Sequence, residues 1–163
     1  LRPLKDEQIQ EYLMREKQMP DYQAKICAAF ARGSIGRALM LGESDFDELN
    51  AETVYLIKNI KTMDVAAISE EVKKITKLSA GLSEFLDCLF LWYRDIALCK
   101  ATGSTEKILY SQEKYTIAQV ADNLSYEGIE KILSQIQKTG KRLDANVNAE
   151  ILLELLLFAM KEN

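Results

Sequence analysis

The sequence predicts an all-α protein, with a short three-helix bundle followed by a larger bundle of about five to six helices. Two observations predict this class. Apolar residues recur at intervals of three and four along most of the chain, and no segment alternates apolar and polar residues as a strand does. The composition agrees, because the 163 residues include only 7 Gly and 2 Pro, while 48% are hydrophobic.

Residues 81–100 are predicted to form the central helix of the larger bundle. Their apolar side chains cover more than half of the circumference of a helix that turns by about 100° per residue. A helix that is apolar on so many sides must be surrounded by other helices. Because Tyr93, Arg94 and Asp95 place charges in the middle of this helix, we expect Arg94 to be held near the core by carboxylate or carbonyl partners.

Three short helices with tight turns are predicted in the first part of the chain. Each begins at a side chain that can cap a helix N terminus, and each ends where glycine or proline follows. They cover residues 6 to about 18 with Asp6 as the cap, residues 21–33 with Asp21 as the cap, and residues 35–41 with Ser34 as the cap and Gly42 as the end. The polar stretch at residues 42–45 is the expected boundary with the rest of the chain.

The remaining helices follow from the same spacing. They cover residues 45–61, residues 65–75 after the cap Asp64, residues 81 to about 103, residues 115–123, residues 126–143 after the cap Ser125, and residues 149–161. Residues 104–114 are predicted to form a polar loop that holds Ile108 and Leu109. Gly140 lies on the apolar face of its helix, where we expect it to permit the close approach of a neighbouring helix.

The composition argues against catalysis and against independent nucleic-acid binding. The chain has no histidine, which excludes Ser-His and Cys-His pairs and histidine metal sites, and it has no Gly-rich phosphate loop. A net charge of −4 disfavours binding to phosphate backbones. Cys27, Cys88 and Cys99 form no Cys-x-x-Cys pair and are interpreted as buried thiols of a reducing compartment. We therefore expect no catalytic residue, cofactor or metal.

The chain shows no segment that predicts membrane insertion or export. Its longest apolar run, residues 151–160, is interrupted by Glu154 and is too short to span a bilayer. No signal peptide is recognisable, and the first residue is Leu1 rather than Met. We expect the chain to be a portion of a longer cytoplasmic protein.

Two surfaces are candidates for contacts with other molecules. Lys131, Lys138 and Arg142 share one helix face, for which an ordinary solvated surface is favoured over a contact with phosphate or an acidic partner. The final helix is more informative, because its leucines leave only a narrow polar strip. A place in the core is the usual explanation for such leucines, but a bundle this small can hardly cover so many from within. Contact with partner helices is therefore the alternative, and the candidate subunit interface consists of Leu152, Leu153, Leu156 and Leu157.

Four stretches of the sequence together resemble the C-terminal part of the delta-prime subunit of the bacterial DNA polymerase III clamp loader. They are residues 1–4, residues 31–39, the aromatic-Arg-Asp sequence at residues 91–95 with Lys100 after it, and residues 146–148 followed by residues 151–157. In that family an ATPase-type domain precedes a three-helix lid and a helical collar that assembles the subunits into a ring. The resemblance implies a lid of the AAA+ type at residues 1–43 and a collar, the oligomerisation domain, at residues 44–163.

The lid segment departs from the pattern of the ATP-binding relatives. In the tau/gamma subunit the motif reads Gly-Ser-x-Arg-Asp-Ala-Leu, and its arginine approaches the nucleotide phosphates. Here Gly33 and Ser34 are followed by Gly36 at the position of that arginine and by Arg37 next to it. Glycine offers no donor to a γ-phosphate. The resemblance therefore implies the non-hydrolysing delta-prime type. Arg37 is interpreted as a contact at the surface or between subunits, in preference to a relocated phosphate sensor.

The resemblance implies a role in assembly rather than chemistry. The chain would help to load the sliding clamp onto primed DNA in replication, with the tau/gamma and delta subunits as partners through the collar and with DNA contacted only through the complex. Six residues of the collar motifs would be structural: Trp92, Tyr93, Arg94, Asp95, Asn146 and Asn148. Two alternatives are the tau/gamma ATPase subunit of the same complex and an unrelated helical adaptor that binds a partner through the leucine surface.

Overall fold

The computed structural model describes residues 2–145 and 148–163, and all regular secondary structure in these ranges is helical. The all-α prediction is confirmed. Two predicted positions, Leu1 and Asn146, lie outside the described residues. The elements are α1 (Asp6–Lys17), α2 (Asp21–Ala31), α3 (Ile35–Glu43), α4 (Phe46–Asn59), α5 (Val65–Thr76), α6 (Leu82–Thr102), a 3₁₀ turn (Ser111–Glu113), α7 (Lys114–Asn123), α8 (Tyr126–Asp144) and α9 (Ala149–Glu162).

Helix α6 is the centre of the larger bundle, as predicted. It packs against α4, α5, α7 and α8, and its side chains Phe85, Leu89 and Ile96 are fully buried. It ends at Gly103, whose φ of +68° is a left-handed conformation that glycine adopts without strain. Although α6 has 21 residues, no helix in the described ranges combines the length and apolar character needed to cross a membrane.

Helix α9 closes the bundle between α5 and α8. The Ser69 hydroxyl of α5 donates to Glu154 Oε1 of α9 at 2.8 Å, and the Lys61 ammonium donates to the carbonyl oxygen of Lys161 at 2.7 Å. These two contacts hold α9 at the middle and at its C-terminal end. The last helix is therefore an integral part of the fold.

Helices α1, α2 and α3 form the predicted three-helix bundle, but that bundle shares its core with the rest of the chain. The Phe30 ring of α2 packs edge-on against the Phe46 ring of α4, with 4.8 Å between ring centroids. Buried side chains before and after residue 44 belong to one continuous hydrophobic cluster. The predicted boundary at residues 43 and 44 thus coincides with the end of α3, and the core continues across it.

Three predicted N-terminal caps are confirmed. The Ser34 hydroxyl accepts the N–H of Arg37 at 3.2 Å, and the Asp64 carboxylate accepts the N–H of Ala67 at 2.8 Å. Ser125 caps α8 in the same way, by accepting the N–H of Gly128 at 3.0 Å. In each case the side chain pairs one of the N–H groups that the first turn leaves free.

The caps predicted at Asp6 and Asp21 are wrong. Both carboxylates belong to the first residue inside their helix, and the capping positions are Lys5 and Pro20. The Gln8 side chain accepts the backbone N–H of Lys5 at 2.9 Å, which ties the entry of α1 to its first turn. The two aspartates still lie near the positive end of a helix dipole, which explains their position in the sequence.

Two predictions about glycine are also wrong. Gly42 lies inside α3, which continues to Glu43 and ends at Ser44, whose hydroxyl donates to the carbonyl of Leu41 at 2.9 Å. At Gly140, a Cβ atom would lie 3.6 Å from Cδ1 of Leu86, which is an ordinary contact distance. The α6 and α8 backbones therefore do not require glycine at this position.

We expect Gly140→Ala to raise the free energy of unfolding by about 0.5–1 kcal/mol, because alanine restricts the unfolded chain and favours the helix. Chemical denaturation followed by circular dichroism would measure the change. Gly128→Ala in the same helix is the control, since its Cβ would lie 2.9 Å from Cδ1 of Leu124 and offset the gain. A loss of stability in Gly140→Ala would show that the packing of the two helices does require glycine at this position.

Candidate functional site

Asp95 is the centre of a buried polar cluster between α6 and the loop that follows it. Its side chain is fully buried. Oδ1 accepts the backbone N–H of Leu109 at 3.0 Å, and Oδ2 accepts the N–H of Tyr110 at 2.8 Å. Burial raises the pKa of Asp95, and the two N–H donors oppose that rise. The carboxylate therefore fixes the loop on the central helix.

Tyr110 extends this cluster to α4. Its ring is buried against Trp92 at 5.4 Å between centroids, and its hydroxyl donates to Asn50 Oδ1 at 2.9 Å. The Cys88 thiol donates to the same amide oxygen at 3.6 Å. We call Asp95, Tyr110, Asn50, Cys88 and Trp92 the Asp95 cluster. It joins the loop at residues 104–110 to both α4 and α6.

The same loop also contacts α2. The Lys25 ammonium of α2 donates to the carbonyl oxygen of Ile108 at 2.9 Å, across a separation of 83 residues. The sequence predicted a polar loop here and missed Tyr110. A signal was present, because Ile108, Leu109 and Tyr110 are consecutive apolar residues within a polar stretch, and all three are buried.

The expectation that Arg94 is held near the core is wrong. Its side chain is 50% exposed, and the nearest carboxylate oxygen is Asp95 Oδ1 at 3.7 Å from Nη2. On a helix Arg94 shares its face with Leu91 and Leu98, which are only half-buried, whereas Asp95 shares its face with Trp92 and Cys99. Within the aromatic-Arg-Asp sequence, Trp92, Tyr93 and Asp95 are thus the buried members.

Gly33 and Ser34 form the turn between α2 and α3. Gly33 has a φ of +85°, and a Cβ atom there would clash with Cβ of Pro3. The N–H of Leu4 donates to the Gly33 carbonyl at 3.0 Å. Here glycine is required twice, by its backbone conformation and by the N-terminal segment packed on it. This turn therefore positions the N-terminal segment.

Arg37 makes its contacts within the chain. Its Nε donates to the Phe30 carbonyl near the end of α2 at 2.8 Å, and Nη2 lies 3.6 Å from Glu84 Oε1 on α6. A cation at the C-terminal end of a helix is favoured by the helix dipole. Gly36 beside it is exposed. Arg37 thus links α2, α3 and α6 within the chain, its side chain is 38% exposed, and its inter-subunit role stays a prediction.

The four leucines predicted as a subunit interface lie in the interior of the described structure. Leu152, Leu153, Leu156 and Leu157 are 5%, 0%, 2% and 0% exposed. Neighbouring helices α5 and α8 cover them, so the chain does bury this much leucine by itself. The apolar side chains that α9 presents to solvent are Ile151 and Leu155, which are 54% and 57% exposed and one helical turn apart.

Asn148 caps α9, since its side-chain oxygen accepts the N–H of Ile151 at 3.2 Å. Its predicted companion Asn146 lies outside the described residues.

On α8, Lys131, Lys138 and Arg142 are exposed, and Lys131 lies 3.6 Å from Glu127 one turn earlier. This face has the character of a solvated surface.

The cysteines are buried, as predicted. Burial raises the pKa of Cys27 to about 12, and it also raises the pKa of Cys88. Thiols with such pKa values carry almost no thiolate at neutral pH, so they are poor nucleophiles and poor metal ligands. Within the two described ranges, no group of three or more Cys, Asp or Glu side chains is arranged to hold a metal ion.

Glu71 belongs to an acidic pair between α4 and α5. It is 7% exposed, and its Oε2 has no hydrogen-bond partner among the described residues. Oε1 lies 3.5 Å from the Lys74 ammonium, which also lies 4.0 Å from Glu52 Oε2. Burial raises the pKa of Glu71, and the neighbouring Glu52 adds to the rise.

We expect Glu71→Gln to make the free energy of unfolding less dependent on pH above the usual pKa of glutamate. A raised pKa in the folded protein means that the stability present at low pH is lost as the pH rises through that pKa. The variant lacks this loss and should be more stable at pH 7 by about 0.5–1 kcal/mol. Urea denaturation at several pH values would measure it.

The matched control is Glu70, which is exposed and lies next to Glu71 on α5. Glu70→Gln changes the net charge equally without removing a buried carboxylate. Equal effects of the two substitutions would contradict the assignment to burial.

Comparison with protein families gives a match over most of the chain. The family model described as DNA polymerase III, delta subunit, C terminal, matches residues 49–162, which is well over half of the 163 residues. The matched range contains most of α4, all of α5 to α9 and every residue of the Asp95 cluster. The comparison with curated proteins gives no match.

Proposed function

Because the chain belongs to the family formed by the C-terminal region of the DNA polymerase III delta subunit, we propose that it is the assembly region of a clamp-loader protein. In this role it helps to load the sliding clamp onto primed DNA in the bacterial cytoplasm, while nucleotide chemistry and DNA contact belong to other parts of the complex. The observation that carries the proposal is the family match over residues 49–162, which covers almost the whole of the proposed collar at residues 44–163.

Within the family, we propose that the protein is of the non-hydrolysing delta-prime type, with residues 1–43 as its lid. Two features of the described structure favour a non-hydrolysing subunit over the tau/gamma type. Gly36 provides no side chain to meet a phosphate, and Arg37 is already engaged by the Phe30 carbonyl and by Glu84. The coding sequence upstream of Leu1 provides a direct test: a degenerate phosphate loop supports delta prime, and an intact Gly-Lys-Thr loop supports tau/gamma.

The proposed partners are the tau/gamma and delta subunits, bound through the collar. The four interior leucines are buried in the chain's own core. The exposed large apolar side chains of α9 that a partner could contact are Ile151 and Leu155. Two large apolar side chains one turn apart form the kind of anchor that a partner helix covers. This pair replaces the interface predicted from the sequence.

We expect the parent protein to co-elute with tau/gamma and delta in size-exclusion chromatography. The double substitution Ile151→Ser with Leu155→Ser should weaken this association by about ten-fold or more, because it removes two apolar anchors, while the melting temperature changes little. Tyr115→Ser is the matched control, since Tyr115 is an apolar side chain 81% exposed on α7. Failure of the unsubstituted protein to co-elute with either partner would contradict the proposed function.

A further inference from the structure

A groove of about 450 Å³ lies between α2 and α4 and reaches the 3₁₀ turn. Its apolar lining residues come from both helices and include Tyr22, Ile26, Ala51 and Val54. The groove therefore spans the first three helices and the larger bundle. We call it the Asn50 groove, after the amide side chain among its lining residues.

Asn50 presents a hydrogen-bond donor to this groove. The residue is 8% exposed, and its Oδ1 accepts the Tyr110 hydroxyl and the Cys88 thiol, which are both buried. These two donors fix the orientation of the amide, so its nitrogen points away from them. The nitrogen carries two N–H groups, and the Tyr22 hydroxyl lies beside it. Because the two N–H groups point in different directions, one of them remains for an acceptor that enters the groove.

The charge of the groove is negative. Two carboxylates line it, Asp47 and Glu113, and no lysine or arginine from the described part of the chain is among its lining residues. Burial raises the pKa of the Tyr22 hydroxyl, and the negative charges of Glu113 and Asp47 raise it further. Lys58 pairs with Glu113 at 2.9 Å, whereas Asp47 accepts from the neutral Gln23 amide. Among the described residues, Asp47 is thus the lining carboxylate without a paired cation.

From these features we propose that the Asn50 groove binds an arginine-containing segment of a partner protein. The guanidinium pairs with Asp47, a peptide carbonyl oxygen of the segment accepts the remaining N–H of Asn50, and apolar neighbours pack against Ile26 and Val54. Arginine fits better than lysine, because its planar guanidinium can pair with a carboxylate through two hydrogen bonds and can stack on the Tyr22 ring. The groove belongs to helices other than α9, so its occupancy does not depend on the proposed role in assembly.

The side-chain NH₂ resonances of Asn50 in the ¹⁵N-labelled protein report on the groove. They can be followed during titration with the blocked peptide Ac-Leu-Arg-Leu-NH₂ and with its citrulline analogue, which keeps the shape of arginine but has no charge. We expect the arginine peptide to shift these resonances saturably, with a Kd on the order of 1 mM. The citrulline peptide should bind about three- to five-fold more weakly, because it lacks the ion pair.

Substitutions test which residues hold the peptide. Asp47→Asn should weaken the arginine peptide by about three- to five-fold and leave the citrulline peptide unchanged. Glu48→Gln is the matched control and should change neither, since Glu48 is exposed next to Asp47 on α4 but does not line the groove. Gln23→Lys places a cation beside Asp47 and should abolish the preference for arginine. Ala51→Trp obstructs the groove from an exposed position and should weaken both peptides by about ten-fold or more.

Three results would overturn the proposal. The first is that the arginine peptide does not move the Asn50 resonances. The second is that the unsubstituted protein binds the arginine and citrulline peptides equally, or that Asp47→Asn binds the arginine peptide as tightly as the unsubstituted protein does. The third is unchanged binding in Ala51→Trp, which would place the peptide elsewhere on the surface.

Discussion

Replacing Asp95 by alanine should lower the free energy of unfolding by about 2–4 kcal/mol, because it leaves two buried N–H groups without acceptors. The N–H groups of Leu109 and Tyr110 are held at 3.0 and 2.8 Å by the two carboxylate oxygens. Removing a buried charge offsets part of this loss of stability, because the charged carboxylate is disfavoured by burial, which raises the pKa of Asp95. Urea denaturation at pH 7 would measure the change.

Two variants make this prediction specific. Arg94→Ala removes the neighbouring charge from a half-exposed position and should cost less than about 0.5 kcal/mol. Asp95→Asn keeps the shape but turns an amide NH₂ toward one of the two N–H groups, so it should be nearly as destabilising as alanine. A large loss of unfolding free energy in Arg94→Ala, or no loss in Asp95→Ala, would show that Arg94 rather than Asp95 has the structural role.

Replacing Leu153 by alanine should lower the free energy of unfolding by about 2–5 kcal/mol, which is the usual cost of a cavity at a fully buried leucine. Leu153 is 0% exposed. Leu155→Ala, two residues further along the same helix and 57% exposed, should cost less than about 0.5 kcal/mol. Thermal or chemical denaturation of the two variants, compared at one pH, would measure the difference.

In binding assays the order of the two variants should be reversed, with Leu155→Ala causing the larger loss. If Ile151 and Leu155 form the contact with partner subunits, Leu155→Ala weakens co-elution, whereas Leu153→Ala acts only through stability. Equal stability losses in the two variants would show that α9 is packed differently from the described structure.

Much of the helical architecture could be predicted from local sequence. The apolar circumference of residues 81–100 identified α6 as the centre, because a helix without a polar face has to be enclosed. The caps at Ser34, Asp64 and Ser125 could be predicted because the donor and the acceptor lie three residues apart. Each of these caps depends only on residues within one turn of its own helix.

The buried cluster could not be predicted because its partners are distant in the sequence. Asp95 binds the backbone of Leu109 and Tyr110, and Tyr110 binds Asn50 across a separation of 60 residues. The sequence analysis placed charge in the middle of α6 without distinguishing Arg94 from Asp95, and the position of the loop shows that Asp95 is the buried member. The roles of Leu153 and Leu155 likewise depend on α5 and α8 covering one side of α9.

The shared core between the first three helices and α4 has a mechanical consequence. The Phe30 ring packs edge-on against the Phe46 ring, and Arg37 links α3 to Glu84 on the central helix. If the chain has the proposed role in assembly, we expect a movement of the first three helices to be coupled to the central helix through these contacts.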